Sequence, residues 1–347
     1  MKYLAYIVKG LENICVQELS ALPDIKIIST SPKHIVFEYT SSSNNLLDLK
    51  TIDDIGIYLS KFKLNDFLEG KYTNILDIEY FKTSVLPVLS KIREINNTFS
   101  LTLSIYKANI EDKIALQETL VKYITETTGY SYIEGDHSNL DFRLNIEEDN
   151  CILTLKLSST SLFKRNYLHI PTLGSLRSTI AASIIYSLLV KQKDKGKYSD
   201  LKLVDNFCGS GTFLCEAYSL GLDIYGGDIN KEAVDITKCN LLNIGINRPN
   251  VFIQNAIKTS FQDKFFDIGV ANFPWDKQIP IKSISILYDQ SIKEYSRILK
   301  ENGSLGFIGY KPEIIIKNIK KYFPSHKIEE VKIGYLGQTP TIVLAYK

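Results

Sequence analysis

The run Val204-Asp205-Asn206-Phe207-Cys208-Gly209-Ser210-Gly211-Thr212-Phe213-Leu214 closes one predicted strand and opens a predicted helix. Gly209 and Gly211 let the chain turn tightly, so a ligand can lie against the backbone and the positive end of the following helix. Asp228 ends the next predicted strand, 19 positions beyond Gly209. A carboxylate there can accept hydrogen bonds from ribose hydroxyls. Single residues exclude two other uses of such a turn. A dinucleotide fingerprint needs glycine or alanine at position 214, which is Leu214. A nucleophile elbow around Ser210 needs glycines where Cys208 and Thr212 stand. The turn reads as the floor of a nucleoside-cofactor site.

Outward from this turn, strands and helices alternate. Strands are predicted over residues 201–206, 223–228, 251–254, 266–271 and 304–308, and helices over 212–220, 231–243, 283–300 and 312–322. That alternation implies a doubly wound parallel sheet. Two further strands, 328–335 and 341–346, have no helix between them and imply a final antiparallel hairpin. Upstream, a helix is expected from about Ser175, with Leu176, Ile180, Ile184 and Leu188 four apart. Residues 1–60 read in the order βαββαβ of a ferredoxin-like unit. Residues 61–160 hold a helical pattern over 74–95, which Pro87 should kink or split, and a second over 111–128. In the second, Ile114, Leu120, Val121 and Ile124 recur at helical spacing. A strand at 99–106 and a hairpin at 141–157 complete this α/β module.

The run Asp205 to Thr212 resembles the first motif of S-adenosylmethionine-dependent methyltransferases, particularly those that methylate amino groups of RNA and DNA. Tyr225-Gly226-Gly227-Asp228-Ile229-Asn230 resembles their second motif, and Asn255-Ala256 stands where they usually carry Asp-Ala against the adenine. Asn206 replaces a usual proline. The resemblance implies S-adenosyl-L-methionine as cofactor, held by Asp205, Cys208, Gly209, Ser210, Gly211, Thr212, Asp228, Ile229, Asn255, Ala256 and Asn272. Asn272-Phe273-Pro274-Trp275 follows the strand at 266–271, which puts it at the carboxyl edge of the sheet beside the cofactor crevice. An exocyclic amine has its lone pair delocalised into the ring and is a poor nucleophile. The Asn272 side chain and the Phe273 carbonyl can hold its N–H groups and aim the lone pair at the sulfonium methyl. Pro274 stiffens the loop, and Trp275, the single tryptophan, offers a stacking face for a flipped base. These four are the candidate catalytic residues. Phe273 and Asp276 depart from the family's commoner residues, proline or leucine and then glycine.

Gly10-Leu11-Glu12 through Glu18-Leu19 resembles the start of THUMP-containing methyltransferases, and residues 61–158 resemble a THUMP domain in layout. Leu162-Phe163-Lys164-Arg165-Asn166-Tyr167, followed by Leu176-Arg177-Ser178-Thr179-Ile180-Ala181-Ala182, resembles the linker that joins THUMP to the catalytic domain. The expected domains are therefore a ferredoxin-like unit (1–60), THUMP (61–160), linker and first catalytic helix (161–197), and a Rossmann-like methyltransferase sheet (198–347). The resemblance implies methylation of guanine N2 in structured RNA, with the acceptor stem of tRNA as the nearest architecture. Lys164, Arg165, Arg177, Lys191, Lys193, Lys195 and Lys197 are the candidate phosphate contacts. Two rival enzymes remain, a 23S ribosomal RNA guanine-N2 methyltransferase and a DNA adenine-N6 enzyme, the latter leaving residues 1–160 unexplained. A non-catalytic RNA-binding scaffold is the alternative from another class.

Composition is that of an ordinary globular chain, 44% apolar and 23% charged. The net charge of +2 hides a split: residues 1–160 carry 16 basic and 22 acidic side chains, residues 161–347 carry 25 and 17. An RNA-gripping N-terminal half would need its cations gathered on one face. Five cysteines without a CxxC pair, and four scattered histidines, argue against a metal site or a disulfide framework. No signal peptide or membrane span is read from the sequence, and a cytoplasmic monomer is expected.

Overall fold

The computed structural model describes residues 1–71, 74–108, 110, 113–135, 139–167, 174–191, 197–274 and 281–347. They form two compact units, Met1–Ile7 with Val16–Leu162, and Val8–Cys15 with Phe163–Lys347.

The first unit is built on strands β1 (Lys2–Tyr6), β2 (Ile25–Thr30), β3 (His34–Tyr39), β4 (Asp54–Lys63), β5 (Thr98–Tyr106), β6 (Ser131–Tyr132), β7 (Leu140–Glu147) and β8 (Asn150–Lys156). They form one sheet in the order β2-β3-β1-β4-β8-β7-β5-β6. Pairing is antiparallel except where β5 runs parallel to β7 and β6. Leu140, Phe142, Leu144 and Ile146 alternate inward along β7, as a period-two strand requires. The expected boundary at residues 60 and 61 falls inside β4, whose second half pairs with β8. The helix expected in the second half of the ferredoxin-like pattern is a 3-10 turn, Ser43–Asp48.

Before residue 162 the helices are α1 (Glu12–Ser20), α2 (Leu64–Leu68), α3 (Ile78–Tyr80), α4 (Leu86–Leu89) and α5 (Lys113–Thr128). Pro87 acts as expected on the first helical pattern. It cannot donate a backbone hydrogen bond, and a π-helical turn, Phe81–Val85, stands just before it between α3 and α4. On α5 the inward face is Leu116, Leu120 and Ile124, whereas Ile114 is exposed and does not belong to it. Three basic residues turn inward around buried Asp54. Arg143 lies 2.9 Å and Lys156 3.9 Å from its carboxylate, and Arg93 donates to the Lys156 and Ser158 carbonyls.

The second unit carries β9 (Lys202–Asp205), β10 (Asp223–Asp228), β11 (Asn250–Ile253), β12 (Phe266–Asn272), β13 (Leu299–Gly309), β14 (Lys327–Lys332) and β15 (Thr341–Tyr346). Their order is β11-β10-β9-β12-β13-β15-β14. The first five are parallel; β15 inserts antiparallel between β13 and β14. The helices are α6 (Ser178–Lys191), α7 (Thr212–Ser219), α8 (Lys231–Asn243), α9 (Ile281–Ile298) and α10 (Pro312–Tyr322). The doubly wound sheet with its terminal hairpin is therefore as expected. Helix α6 starts at Ser178 rather than Ser175 and is buried nearly all round, the condition of a core helix. Behind the carboxyl ends of β12 and β13, the rings of Phe273, Tyr288, Tyr295 and Phe307 pack with centroids 4.3–5.1 Å apart in successive pairs. Burying each such ring stabilises the unit by about 2–3 kcal/mol. No helix among the described residues is long and apolar enough to cross a membrane.

Candidate active site

The strand–turn–helix at β9 and α7 forms the centre of the site. Gly211 caps α7 in a left-handed conformation, φ 84°, and Gly209 also has positive φ. A Cβ at Gly211 would stand 2.9 Å from the Thr237 methyl, so the position is closed both by conformation and by space. Asp228, at the end of β10, faces the turn. Its carboxylate accepts the Gly209 N–H at 3.0 Å and the Asn230 N–H at 2.9 Å. The next residue, Ile229, is 71% exposed and forms an apolar ledge beside that carboxylate. Asn255 spends its side-chain oxygen on the Ile257 N–H, 3.2 Å away, closing the turn after β11, with Ala256 buried behind it.

Helix α8 holds the turn from behind. Thr237 donates to the Gly209 carbonyl at 2.7 Å, and Asn240 donates to the Ser210 carbonyl at 2.8 Å. Both are fully buried. Sequence reading did not single them out, although two polar residues three apart on the apolar face of a helix were the available signal.

Asp205 is buried and accepts the Phe207 N–H at 2.9 Å. Loss of hydration, aided by the nearby Asp228 charge and opposed by that N–H, pushes its carboxyl up to about 8. The folded protein then keeps a proton that an unfolded carboxyl releases near pH 4. The resulting stabilisation is complete below pH 4 and is lost as pH rises through about 8. Asp205→Asn should abolish a fall in unfolding free energy of up to about 1.4 kcal/mol per pH unit between pH 5 and 8. Urea titrations at pH 6 and 8 measure this; an unchanged fall in the variant would refute it.

Asn272 ends β12, the strand next to β9. Its Nδ2 donates to the Gly174 carbonyl at 3.2 Å, while Oδ1 is shielded from solvent and has no partner among the described residues. The Phe273 side chain is fully buried against Phe207, Tyr288 and Phe307. Only its backbone is left to serve the site. The Pro274 carbonyl receives the Tyr288 hydroxyl at 2.9 Å. Seven residues on, Tyr295 donates to the Val270 carbonyl at 2.6 Å and accepts the Asn206 N–H at 3.1 Å, tying β9 to β12. These two tyrosines were also missed; their spacing on α9 is that of ordinary core residues. The Asn206 side-chain amide is buried, and neither end has a partner among the described residues. Trp275 lies outside the described residues.

The candidate phosphate contacts divide. Lys164 and Lys197 are exposed. Arg165 is corrected: its guanidinium reaches Glu216 at 2.9 Å inside the fold, and Tyr167 donates to the same carboxylate. Glu216 is fully buried, so Arg165 balances its charge and does not face solvent. Arg177 lies over the Phe163 ring, 4.4 Å from its centroid. Lys191 is likewise engaged, with Glu329 at 2.7 Å and the Tyr346 hydroxyl at 3.1 Å. Lys193 and Lys195 lie outside the described residues. No cluster of three metal-ligating side chains occurs among those described.

A parallel sheet with an inserted antiparallel strand, a glycine turn facing an acidic strand end, and an asparagine at the neighbouring carboxyl end define a Rossmann-type methyltransferase. A family model for the RMKL-like methyltransferase domain (UPF0020) matches residues 165–340, just over half of the chain. The chain belongs to that family, and its methyl donor is S-adenosylmethionine. It is 30% identical over 138 residues to the type II methyltransferase M.VspI of Vibrio sp. (strain 343), covering 36% of this chain and 34% of that protein. It is 31% identical over 146 residues to the ribosomal RNA large subunit methyltransferase K/L of Psychrobacter sp. (strain PRwf-1), covering 38% and 17%. The matches thus span about a third and a sixth of those relatives. Among solved structures, TrmN from Thermus thermophilus superposes with a TM-score of 0.76 over 100% of both chains at 16% identity, a likeness of fold.

The site fits the adenosyl cofactor. The turn carries no side chain at Gly209 and Gly211, and Asp228 presents a carboxylate beside the exposed Ile229 ledge.

Proposed function

We propose that this protein transfers a methyl group to the exocyclic N2 amine of a guanosine in structured RNA, with the acceptor stem of tRNA as substrate. The observation that carries this reading is the Asn272 Oδ1, unpartnered among the described residues, on the strand beside the cofactor turn. S-adenosylmethionine, when bound, supplies an electrophilic methyl group on a sulfonium. Gly209, Gly211 and Asp228 hold its nucleoside, with Ile229 and Asn255 beside the base. Asn272 Oδ1 and the Phe273 carbonyl accept the two N–H groups of the target amine and turn its lone pair toward the methyl. The rigid frame of Tyr288 and Tyr295 keeps both acceptors fixed, so rate acceleration comes from positioning rather than from a covalent intermediate. Residues 61–160 serve in this reading as a THUMP domain that grips the RNA, with exposed Lys164 and Lys197 on phosphates.

A second reading, guanine N2 of large-subunit ribosomal RNA, is favoured by the K/L relative. Purified protein with labelled S-adenosylmethionine, offered tRNA and rRNA separately, tests both. Label in tRNA that digests to N2-methylguanosine supports the first; label in rRNA alone moves the substrate to the second. Label in adenosine, or none in either RNA, overturns the proposal.

A further inference from the structure

Among the described residues, Asn272 is held from one side. Its Nδ2 donates to the Gly174 carbonyl at 3.2 Å, and its Oδ1 is shielded and unpartnered among the described residues. A carboxamide can turn over, exchanging two ends of similar size and opposite hydrogen-bonding sense. Only the orientation with oxygen toward the amine can accept its N–H groups. A backbone carbonyl is an acceptor and nothing else, so Gly174 takes Nδ2 and opposes the turned-over form, in which two oxygens would meet.

The segment that carries this carbonyl is itself tied down. Ser175 Oγ is 2.9 Å from Ser210 Oγ in the cofactor turn. The Ser175 carbonyl receives the Tyr335 hydroxyl at 3.4 Å. Tyr335 stands in a tight turn closed by reciprocal backbone bonds with Gln338, both 2.9 Å, at the carboxyl edge of the sheet where β14 hands over to β15. Gly174 adopts φ 85° with open space around the position of a Cβ, so backbone conformation alone calls for glycine there. One short segment thus rests on the cofactor turn, the terminal hairpin and the amine acceptor.

We propose that Gly174 and Ser175 form a positioning element that holds the Asn272 carboxamide with Oδ1 toward the target amine. The inference rests on the reading of Asn272 as the amine acceptor. The test is the double variant Ser175→Ala/Tyr335→Phe, which removes the Ser210 and Tyr335 contacts described above for residue 175, beside Ser175→Thr, which keeps the hydroxyl. With RNA substrate, kcat of the double variant should fall about 10–100-fold, the loss expected of a small misplacement. Its KM for S-adenosylmethionine and its Kd for S-adenosylhomocysteine should stay within about threefold. Ser175→Thr should stay within about threefold of the parent in kcat. A substrate-free readout runs alongside: the Asn272 side-chain N–H signals, assigned by their absence in Asn272→Ala, should be protected from exchange in the parent and unprotected in the double variant. Unchanged kcat with equal protection would overturn the proposal. So would a kcat loss accompanied by a tenfold or larger loss of S-adenosylhomocysteine affinity, which would make Ser175 a support of the cofactor turn alone. Should Asn272→Ala remain active, the amine-acceptor reading itself fails; full activity in the double variant beside a dead Asn272→Ala removes only the positioning role.

Discussion

Asn272→Ala should lower kcat by about 10³-fold or more, a loss of about 4 kcal/mol of transition-state stabilisation. The reasoning is electronic. As the methyl moves to nitrogen, the amine's N–H groups become more acidic, so an acceptor at Oδ1 binds the transition state better than the ground state. Alanine removes that acceptor. The fold should tolerate the change, because the Asn272 side chain makes one hydrogen bond, to Gly174, among the described residues. Affinity for S-adenosylhomocysteine should remain within about threefold, since Gly209, Gly211 and Asp228 are untouched. Single-turnover kinetics and calorimetry separate the two quantities. Activity within tenfold of the parent would remove the amine-holding role; a large loss of cofactor affinity would reassign Asn272 to the cofactor.

The second large effect lies in stability. Glu216→Ala should destabilise the second unit by about 3–5 kcal/mol, because it removes the buried carboxylate that the Arg165 guanidinium and the Tyr167 hydroxyl share. Arg165 is 12% exposed in its side chain and Glu216 is fully buried. Tyr167, whose hydroxyl donates to Glu216, is held well above its ordinary pKa by burial and by that carboxylate, so it stays a donor at neutral pH. For a unit of this size the loss corresponds to a melting temperature lowered by roughly 6–20 °C. The double variant Arg165→Met/Glu216→Leu should recover most of it, since an apolar pair of similar volume removes both charges together. A melting curve for Glu216→Ala within about 2 °C of the parent would contradict the buried pair. Under the proposed RNA-binding reading, the same geometry separates Arg165 from Lys164. Lys164→Ala should reduce the salt dependence of RNA affinity by about one counterion, and Arg165→Ala should not, whatever it does to stability.

Local signals carried well in some places and failed in others for a physical reason. Pro87 disturbed its helix because the missing N–H acts within one turn. Ile114 shares the helical spacing of Leu120 and Ile124, yet α5 turns Leu116, Leu120 and Ile124 inward and leaves Ile114 71% exposed. Period names a stripe but does not say where the stripe begins. The boundary placed after residue 60 fell inside β4 because a strand's partner, here β8 some 90 positions later, decides how far it runs.

The alternation of strands and helices, the G-S-G turn and its register with Asp228, and the placement of Asn272 at a strand end were determined by the sequence itself. Each depends on short-range periodicity or on conformations that few residues besides glycine adopt. Tertiary structure alone decided what each charge and hydroxyl does. Arg165 looks like a phosphate contact until Glu216, 51 positions away, buries it. Tyr288 and Tyr295 look like core residues until their hydroxyls reach Pro274 and Val270. Asn272 acquires an orientation only when Gly174, 98 positions earlier, takes its amide nitrogen. Hydrogen bonds of this kind are directional and join distant positions, and the local pattern at either end carries no record of the partner.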